Sequence, residues 1–336
     1  MRHLLLCFIL VLAAAAAHAS ALDDTMQKLA AAAEKPGNII WYESSPDDQA
    51  QKIAAAFHKR FPALTLQHIR DIGGNSLGAR VIQESHGGTR TADVITTGAS
   101  TMRPLTERGL LRTLDAASLG LSPELAPTAY GVVTTAVIYV IIYNSDAVSP
   151  ADAPKQWTDL LNPKWDGKIG IWIRGEGQGA LSAAWGVDKV ADYIRKMNAL
   201  HPNLLQSTFP LAQQIAAGES EVGFTLYHSA QPALRRGAPI KVVVADPVPV
   251  GVLYSVVPTK AQNPDGGLLL SLWLATDEGA KAYEDATGRG NPHIRSTRTY
   301  TLLKGHNVSE YPPSQSDREA AAVDKFNKMI ESRETK

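Results

Sequence analysis

The chain has 336 residues, 44% of them hydrophobic, with 33 basic and 33 acidic side chains that cancel to a formal net charge of zero. That balance excludes the basic stripe on which a nucleic-acid binder depends, and the length is enough for more than one buried core. A single cysteine excludes an internal disulfide and a cysteine-based metal cluster.

The first stretch, MRHLLLCFILVLAAAAAHASA, has a basic start, an apolar run from Leu4 to Ala17, and small residues at Ala17, Ala19 and Ala21. This is the pattern of a secretory signal peptide, residues 1–19 if cleavage follows Ala19, with Ala21 as the alternative site. Cys7 lies inside it, so the mature chain is expected to be thiol-free and exported to the periplasm. No later run approaches the length of a membrane-spanning helix.

Residues 23–36 read as an Ala-rich helix. Asn38–Tyr42 is a strand, and Ser44-Ser-Pro-Asp-Asp48 opens a helix to about Arg60, with a serine as cap and Pro46 in the first turn. Leu64–Ile69 is a second strand, Gly73-Gly-Asn-Ser76 opens another helix, and Ala92–Thr97 is a third strand. Val132–Tyr143 is β-branched and long for one strand, which suggests that it runs from one domain into another. A short helix is expected near Trp157–Leu161. After it come a strand over Gly170–Arg174, helices over Gly179–Gly186, Tyr193–Leu200 and Pro210–Ala217 with Gly218 closing the last, and strands over Glu221–Leu226 and Ile240–Ala245. Helices follow over Gly267–Ala275 and Glu278–Thr287, and a charged amphipathic helix over Asp317–Ser332. Strands alternating with helices mean an α/β fold with a largely parallel sheet. A second domain inserted in the first would return near Gly251–Pro258.

Several strand-to-helix turns carry polar groups. In IGIWIRGEGQGA, residues 169–180, alternation places Gly170, Trp172 and Arg174 on one strand face, followed by Gly175, Gly177, Gln178 and Gly179. The carboxyl ends of strands are where open α/β sheets bind ligands, and a guanidinium fork suits carboxylate or phosphate. Arg174 either meets such a ligand or pairs with a surface acid in a tight turn. Glu43-Ser44-Ser45 and Gly74-Asn75-Ser76 are the corresponding turns after the first two strands, each readable as a ligand contact or a plain helix cap. Tyr227-His228 follows another strand, with Tyr227 readable as a core residue. Catalysis has little support: the nine histidines are scattered, with no His-Glu-x-x-His and no Gly-x-Ser-x-Gly.

Four stretches resemble bacterial periplasmic solute-binding proteins of ABC transporters, the type II, ferric-iron-binding-like group (extracellular solute-binding family 1). They are Tyr143–Val148; Trp157–Trp165 with Gly167–Ile169; Ala216–Glu219 before the Val222–Tyr227 strand; and Pro264 through Thr276–Ala280 to Gly290–Arg295. The resemblance covers nearly all of the mature chain. It implies a two-lobe periplasmic binding protein fold, with lobe 1 from 37–139 and 257–312, lobe 2 from 144–250, and a C-terminal helix at 313–336. It implies two hinge crossings, a ligand held between lobes that close on it, a monomer, and delivery to an inner-membrane permease without turnover, cofactor or nucleic acid.

Ferric binders of the group use two adjacent tyrosines, a histidine after the first strand and a glutamate after the second. Here the pair is Tyr227-His228, the first-strand position falls among Glu43–Pro46, and the glutamate position is Ser76. A hard cation wants several anionic oxygens. The expectation is a small organic anion (a carboxylate, phosphonate or phosphate ester), with no metal. Arg174 would clamp it, with Gly177–Gly179, Ser44, Ser45, Asn75 and Ser76 as donors, Thr97 and Gly98 lining the site, and Trp172 or Tyr227 against the ligand's apolar part. Ferric iron, coordinated by a tyrosinate and an anion, is the alternative.

Overall fold

The computed structural model describes residues 22–71 and 75–335, so the signal-peptide reading lies outside the described residues, as does Gly74. Residues 22–33 form α1. There follow β1 (Asn38–Glu43), α2 (Asp47–Arg60), β2 (Thr65–Arg70), α3 (Asn75–Gly87), β3 (Val94–Gly98), α4 (Ala99–Glu107) and the fourteen-residue β4 (Gly131–Asn144). Two short 3-10 turns, Trp157–Leu161 and Pro163–Trp165, lead to β5 (Ile169–Trp172), α5 (Glu176–Trp185), α6 (Val187–Asn198), β6 (Asn203–Leu205) and α7 (Thr208–Ala217). Next come β7 (Val222–Leu226), α8 (Tyr227–Arg235), β8 (Ile240–Val243), β9 (Val248–Val256), α9 (Pro264–Leu274), α10 (Asp277–Thr287), α11 (Arg298–Leu303), β10 (Val308–Ser309) and α12 (Ser316–Glu331). No described helix is long and apolar enough to cross a membrane.

The chain divides into two compact units. One contains the described residues through Thr135, then Leu253–Ala286 and His293–Thr297; the other contains Ala136–Val252, Thr287–Pro292 and Arg298 onward. Two of the boundaries fall inside β4 and β9, the segments expected to carry the chain from one domain to the next.

In unit 1 the strand order is β2-β1-β3-β9-β4. β1 runs parallel to β2 and β3, while β3 and β9 are antiparallel, so the sheet is mixed rather than largely parallel. Its apolar core gathers Trp41 from β1, Phe57 from α2, Trp273 from α9 and Tyr283 from α10, with Phe57 edge-on to Trp273 at 5.4 Å and Trp41 edge-on to Tyr283 at 6.3 Å. Each such side chain, fully withdrawn from water, stabilises the fold by roughly 1.5–3 kcal/mol. Beside the crossing strands, buried hydroxyls form a chain: the Trp41 indole N–H donates to Thr96, Thr96 bonds Ser255 at 2.9 Å, and Ser255 bonds Thr134 at 2.6 Å.

In unit 2 β4 lies antiparallel to both β7 and β8, and β5 is parallel to β7 and β6. One face of this sheet packs Trp157, Trp165, Phe224 and Tyr193; the other packs Leu211, Ile215, Val140 and Ile142. Residues 298–312, expected with lobe 1, belong here instead. β10 pairs with Val248 and Pro249 of β9, and the buried Ser309 hydroxyl donates to the Ala180 carbonyl at 2.7 Å. The C-terminal helix is likewise part of unit 2 rather than a separate piece. Asp317, Arg318, Asp324, Lys325 and Lys328 are exposed, while Ala322, Phe326, Met329 and Ile330 are buried in the core.

Asp93, fully buried before β3, holds two segments of unit 1 together. Its carboxylate accepts the N–H of Ile40 at 2.9 Å and of Asn263 at 2.7 Å. Replacing one acceptor oxygen by an amide group leaves a buried N–H facing another donor. Asp93→Asn is expected to lower the unfolding free energy in urea by about 1–3 kcal/mol.

Candidate functional site

Each unit presents strand ends that run directly into helix starts. The first N–H groups of an α-helix have no partner within it, so such an edge favours acceptors and negative charge.

In unit 1, β1 ends at Glu43 and α2 begins at Asp47. The expected serine cap does not form: Pro46 is the N-cap and no side chain caps the helix. Glu43 explains why. Its carboxylate is 0% exposed, accepts the Ser45 N–H at 2.6 Å and the Tyr283 hydroxyl at 2.8 Å, and meets Ser44 Oγ at 3.3 Å. Glu43 therefore shapes the Ser44–Ser45 turn and is not presented to a ligand, a correction to its place among the binding residues. His68 stands between Glu43 and Asp47, 3.8 Å and 3.3 Å from their carboxylates, and Arg70 Nε donates to the Ser44 carbonyl at 3.3 Å.

Thr97 is buried in β3 opposite Tyr254, and Gly98 is the N-cap of α4. Asn75 begins α3 and Ser76 follows it, exposed. Farther along α3, Arg80 lies over the Tyr42 ring at 4.3 Å and binds Glu84 at 2.8 Å, while the Tyr42 hydroxyl donates to Glu84 at 3.0 Å. Burial, and then the Glu84 carboxylate, push the Tyr42 phenol up to about 12, so it is a neutral donor. The sequence reading missed this clasp between α3 and β1.

Unit 2 brings the other candidates together around the carboxyl end of β5. The strand stops at Trp172, two residues before Arg174, yet the two stay adjacent, with the guanidinium carbon 5.6 Å from the indole centroid. Arg174 is exposed and makes no hydrogen bond or ion pair with another described residue, so it is not the partner of a surface acid. Its charge is felt at Glu176, whose carboxyl is raised by burial first, against the opposing pull of its own backbone N–H and then of Arg174.

The helix expected from Gly179 begins three residues earlier, at Glu176, and this changes the role of the glycines. A methyl at Gly175 would lie 2.8 Å from Phe326 Cβ; at Gly177, 2.6 Å from Tyr139; at Gly179, 2.4 Å from Val323. They let α5 approach α12 and the sheet. The N–H of Gly175 is taken by Asn327 Oδ1 at 2.6 Å and that of Gly179 by the Gly175 carbonyl at 2.7 Å, which removes Gly179 from the expected anion cradle. Gly177 and Gln178 remain, as the second and third residues of α5.

A small cavity of about 10 Å³ is lined by Trp172, Arg174, Gln178, Tyr139, Phe224 and Thr225. Gln178 is 6% exposed and Thr225 1%. Among the described residues the Thr225 hydroxyl has no hydrogen-bond partner, a condition that costs about 1–3 kcal/mol in a buried group. Thr225 was not among the expected site residues, although one hydroxyl in the apolar run Val222–Leu226 was a visible signal.

Tyr227 opens α8 and, like Trp172, lies partly exposed against the Leu211–Ile215 side of the core. His228 points elsewhere: it packs edge-on to Phe209 at 5.8 Å and against the Gly288–Arg289 segment, and its Nδ1 is sealed without a partner. Burial, and then the Arg289 charge, hold its imidazole down to about 3. A packed neutral histidine of this kind serves the fold, which corrects its assignment as a ligand contact. Between pH 6.5 and 3 the unfolded chain takes up a proton at His228 that the folded chain refuses. Stability from this group is complete above pH 6.5 and falls on acidification, by up to about 1.4 kcal/mol per pH unit. Denaturant unfolding at pH 7, 6 and 5 should show a shallower fall for His228→Gln than for the natural chain.

The comparisons accord with this architecture. Residues 52–297 match the family described as "Bacterial extracellular solute-binding protein". A Haemophilus influenzae protein described only as uncharacterized is 30% identical over 138 residues, 38% of this chain and 39% of its own length. Iron-bound HitA from Pseudomonas aeruginosa superposes with a TM-score of 0.73 at 18% identity, over 87% of this chain and 99% of its own. AfuA from Actinobacillus pleuropneumoniae, a periplasmic binding protein solved with fructose-6-phosphate, gives 0.69 at 22% identity, over 88% and 99%. The fold is that of the two-lobe periplasmic binding proteins, and the chain belongs to the bacterial extracellular solute-binding protein family.

Proposed function

We propose that this protein captures a small organic anion outside the inner membrane and hands it to an ABC-transporter permease without converting it. The observation that carries the reading is Arg174, an exposed guanidinium at a strand's carboxyl end, flanked by an indole and by the start of α5, with no carboxylate of the described chain bound to it. A guanidinium offers parallel N–H donors to two coplanar oxygens, and the unpaired N–H groups at the start of α5 add partial positive charge beside it. Trp172 supplies a face for the ligand's apolar part. Ser44, Ser45, Asn75, Ser76, Thr97 and Gly98 are the proposed donors of unit 1, and Gly177, Gln178 and Tyr227 the further ones of unit 2.

The competing ferric reading has Tyr227 as the phenolate at this strand end, followed by a packed neutral histidine where ferric binders carry a second tyrosine. Export through the N-terminal signal and delivery to a permease belong to the same proposal and follow the habit of the family.

A thermal-shift screen over phosphonates, sugar phosphates, carboxylates and ferric salts identifies the ligand class, because binding raises apparent stability by mass action. Anions are expected to shift the midpoint and ferric salts to leave it unmoved. For the best anion, Arg174→Ala should weaken binding by about 10- to 100-fold in calorimetry, the worth of a charge-assisted hydrogen-bonded contact, while leaving the unliganded midpoint in place. Unchanged affinity would reject the clamp.

A further inference from the structure

β2 ends at Arg70, which is exposed and stands in register with Glu43 of β1. Its Nε donates to the Ser44 carbonyl at 3.3 Å, and among the described residues it makes no other hydrogen bond and no ion pair. The acids nearest it in sequence and across the ladder have other partners. Glu43 accepts the Ser45 N–H and the Tyr283 hydroxyl, Asp47 stands 3.3 Å from His68, and Asp71 stands 3.8 Å from Arg80.

An unpaired surface arginine is ordinary, because an exposed ion pair is worth little. What sets Arg70 apart is how it is held. A guanidinium carries five N–H donors in one rigid plane. The bond from Nε ties that plane to the turn that supplies Ser44 and Ser45, and it leaves the edge formed by the two terminal nitrogens unoccupied. Parallel N–H groups on such an edge match the two oxygens of a carboxylate.

Arg174 repeats the arrangement in unit 2: it is exposed, lies just past the carboxyl end of β5 and has no ion pair among the described residues. Each unit so carries a guanidinium at the strand ends where α/β sheets take ligands. A ligand with one acidic group satisfies one of these forks. A ligand with two satisfies both, each through charge-assisted hydrogen bonds.

We propose that Arg70 is a second anion contact and that the cargo is an organic diacid, with one acidic group for Arg174 and one for Arg70. The proposal rests on the reading of this chain as an anion carrier clamped by Arg174, and it narrows the cargo from anions in general to dianions. Arg174 supplies the attraction common to all anions, and Arg70 the choice of a diacid over a monoacid.

The test is a titration of the purified protein with dicarboxylates against monocarboxylates of the same carbon count: succinate against butyrate, glutarate against pentanoate, and adipate against hexanoate. At least one diacid should bind about tenfold or more tighter than its partner, the worth of one further charge-assisted contact. Arg70→Ala should bring that diacid down to the level of its monoacid partner, with monoacid binding and the unliganded thermal midpoint unmoved. Arg70→Lys, which keeps the charge and loses the fork, should retain part of the preference. Arg174→Ala should weaken both classes. Diacids bound no tighter than monoacids at all three lengths, or an Arg70→Ala loss shared evenly by both classes, would overturn the diacid assignment while the Arg174 clamp stands. An Arg174→Ala variant that binds both classes as tightly as the natural chain would remove the clamp itself and the reading on which the assignment rests.

Discussion

Gly179 lies so close to α12 that an added methyl would come within 2.4 Å of Val323, and Gly175 stands in the same relation to Phe326. On the sheet side Gly177 leaves no room before Tyr139 and Phe224. The turn that carries Arg174 is thus held by the C-terminal helix, by two aromatic rings, and by the bond from the Gly175 N–H to Asn327. Side chains larger than hydrogen would force these elements apart, at a cost typical of overpacked cores. A guanidinium mounted on so constrained a turn has less freedom to lose when it meets a ligand, which is how preorganisation turns contacts into affinity.

The electrostatics of the two units differ. In unit 1 the acids at the strand end are already matched: Glu43 is satisfied by Tyr283 and Ser45, and His68 lies against both Glu43 and Asp47. That edge also carries Arg70, exposed at the end of β2, whose Nε donates to the Ser44 carbonyl. In unit 2 Arg174 forms no ion pair among the described residues, and burial raises the Glu176 carboxyl, the acid closest to it in sequence. Each unit thus has an exposed guanidinium at or just past a strand's carboxyl end, Arg70 in unit 1 and Arg174 in unit 2. That distribution suits an anionic ligand better than a cation.

Much of the fold was legible from local patterns. The β-branched run of β4, the first βαβ passage from β1 to β2, the left-handed Gly218 closing α7, and the amphipathic C-terminal helix all follow from residues within a few positions of one another. The parts that were not legible depend on distant partners. The glycines after Arg174 read as a ligand loop because the residues that crowd them, Val323 and Phe326, lie far along the chain in α12. The two-residue β10 has no periodicity, and only its pairing with β9 and the Ser309 bond to Ala180 draw residues 298–312 into unit 2. Among the candidate residues, alternation put Trp172 and Arg174 on one strand face, and their side chains do stand side by side. Glu43 and His228 were placed at the right strand ends but misread, since sequence gives position and not the hydrogen bonds that satisfy a side chain.

The central claim is that the native cargo carries negative charge. Native mass spectrometry of the protein, purified without denaturation from its native host, tests this directly by weighing what co-purifies and identifying it after release. The account predicts a stoichiometric small organic acid. Stoichiometric ferric iron without an accompanying acid, or a polyamine or other cation, would contradict it.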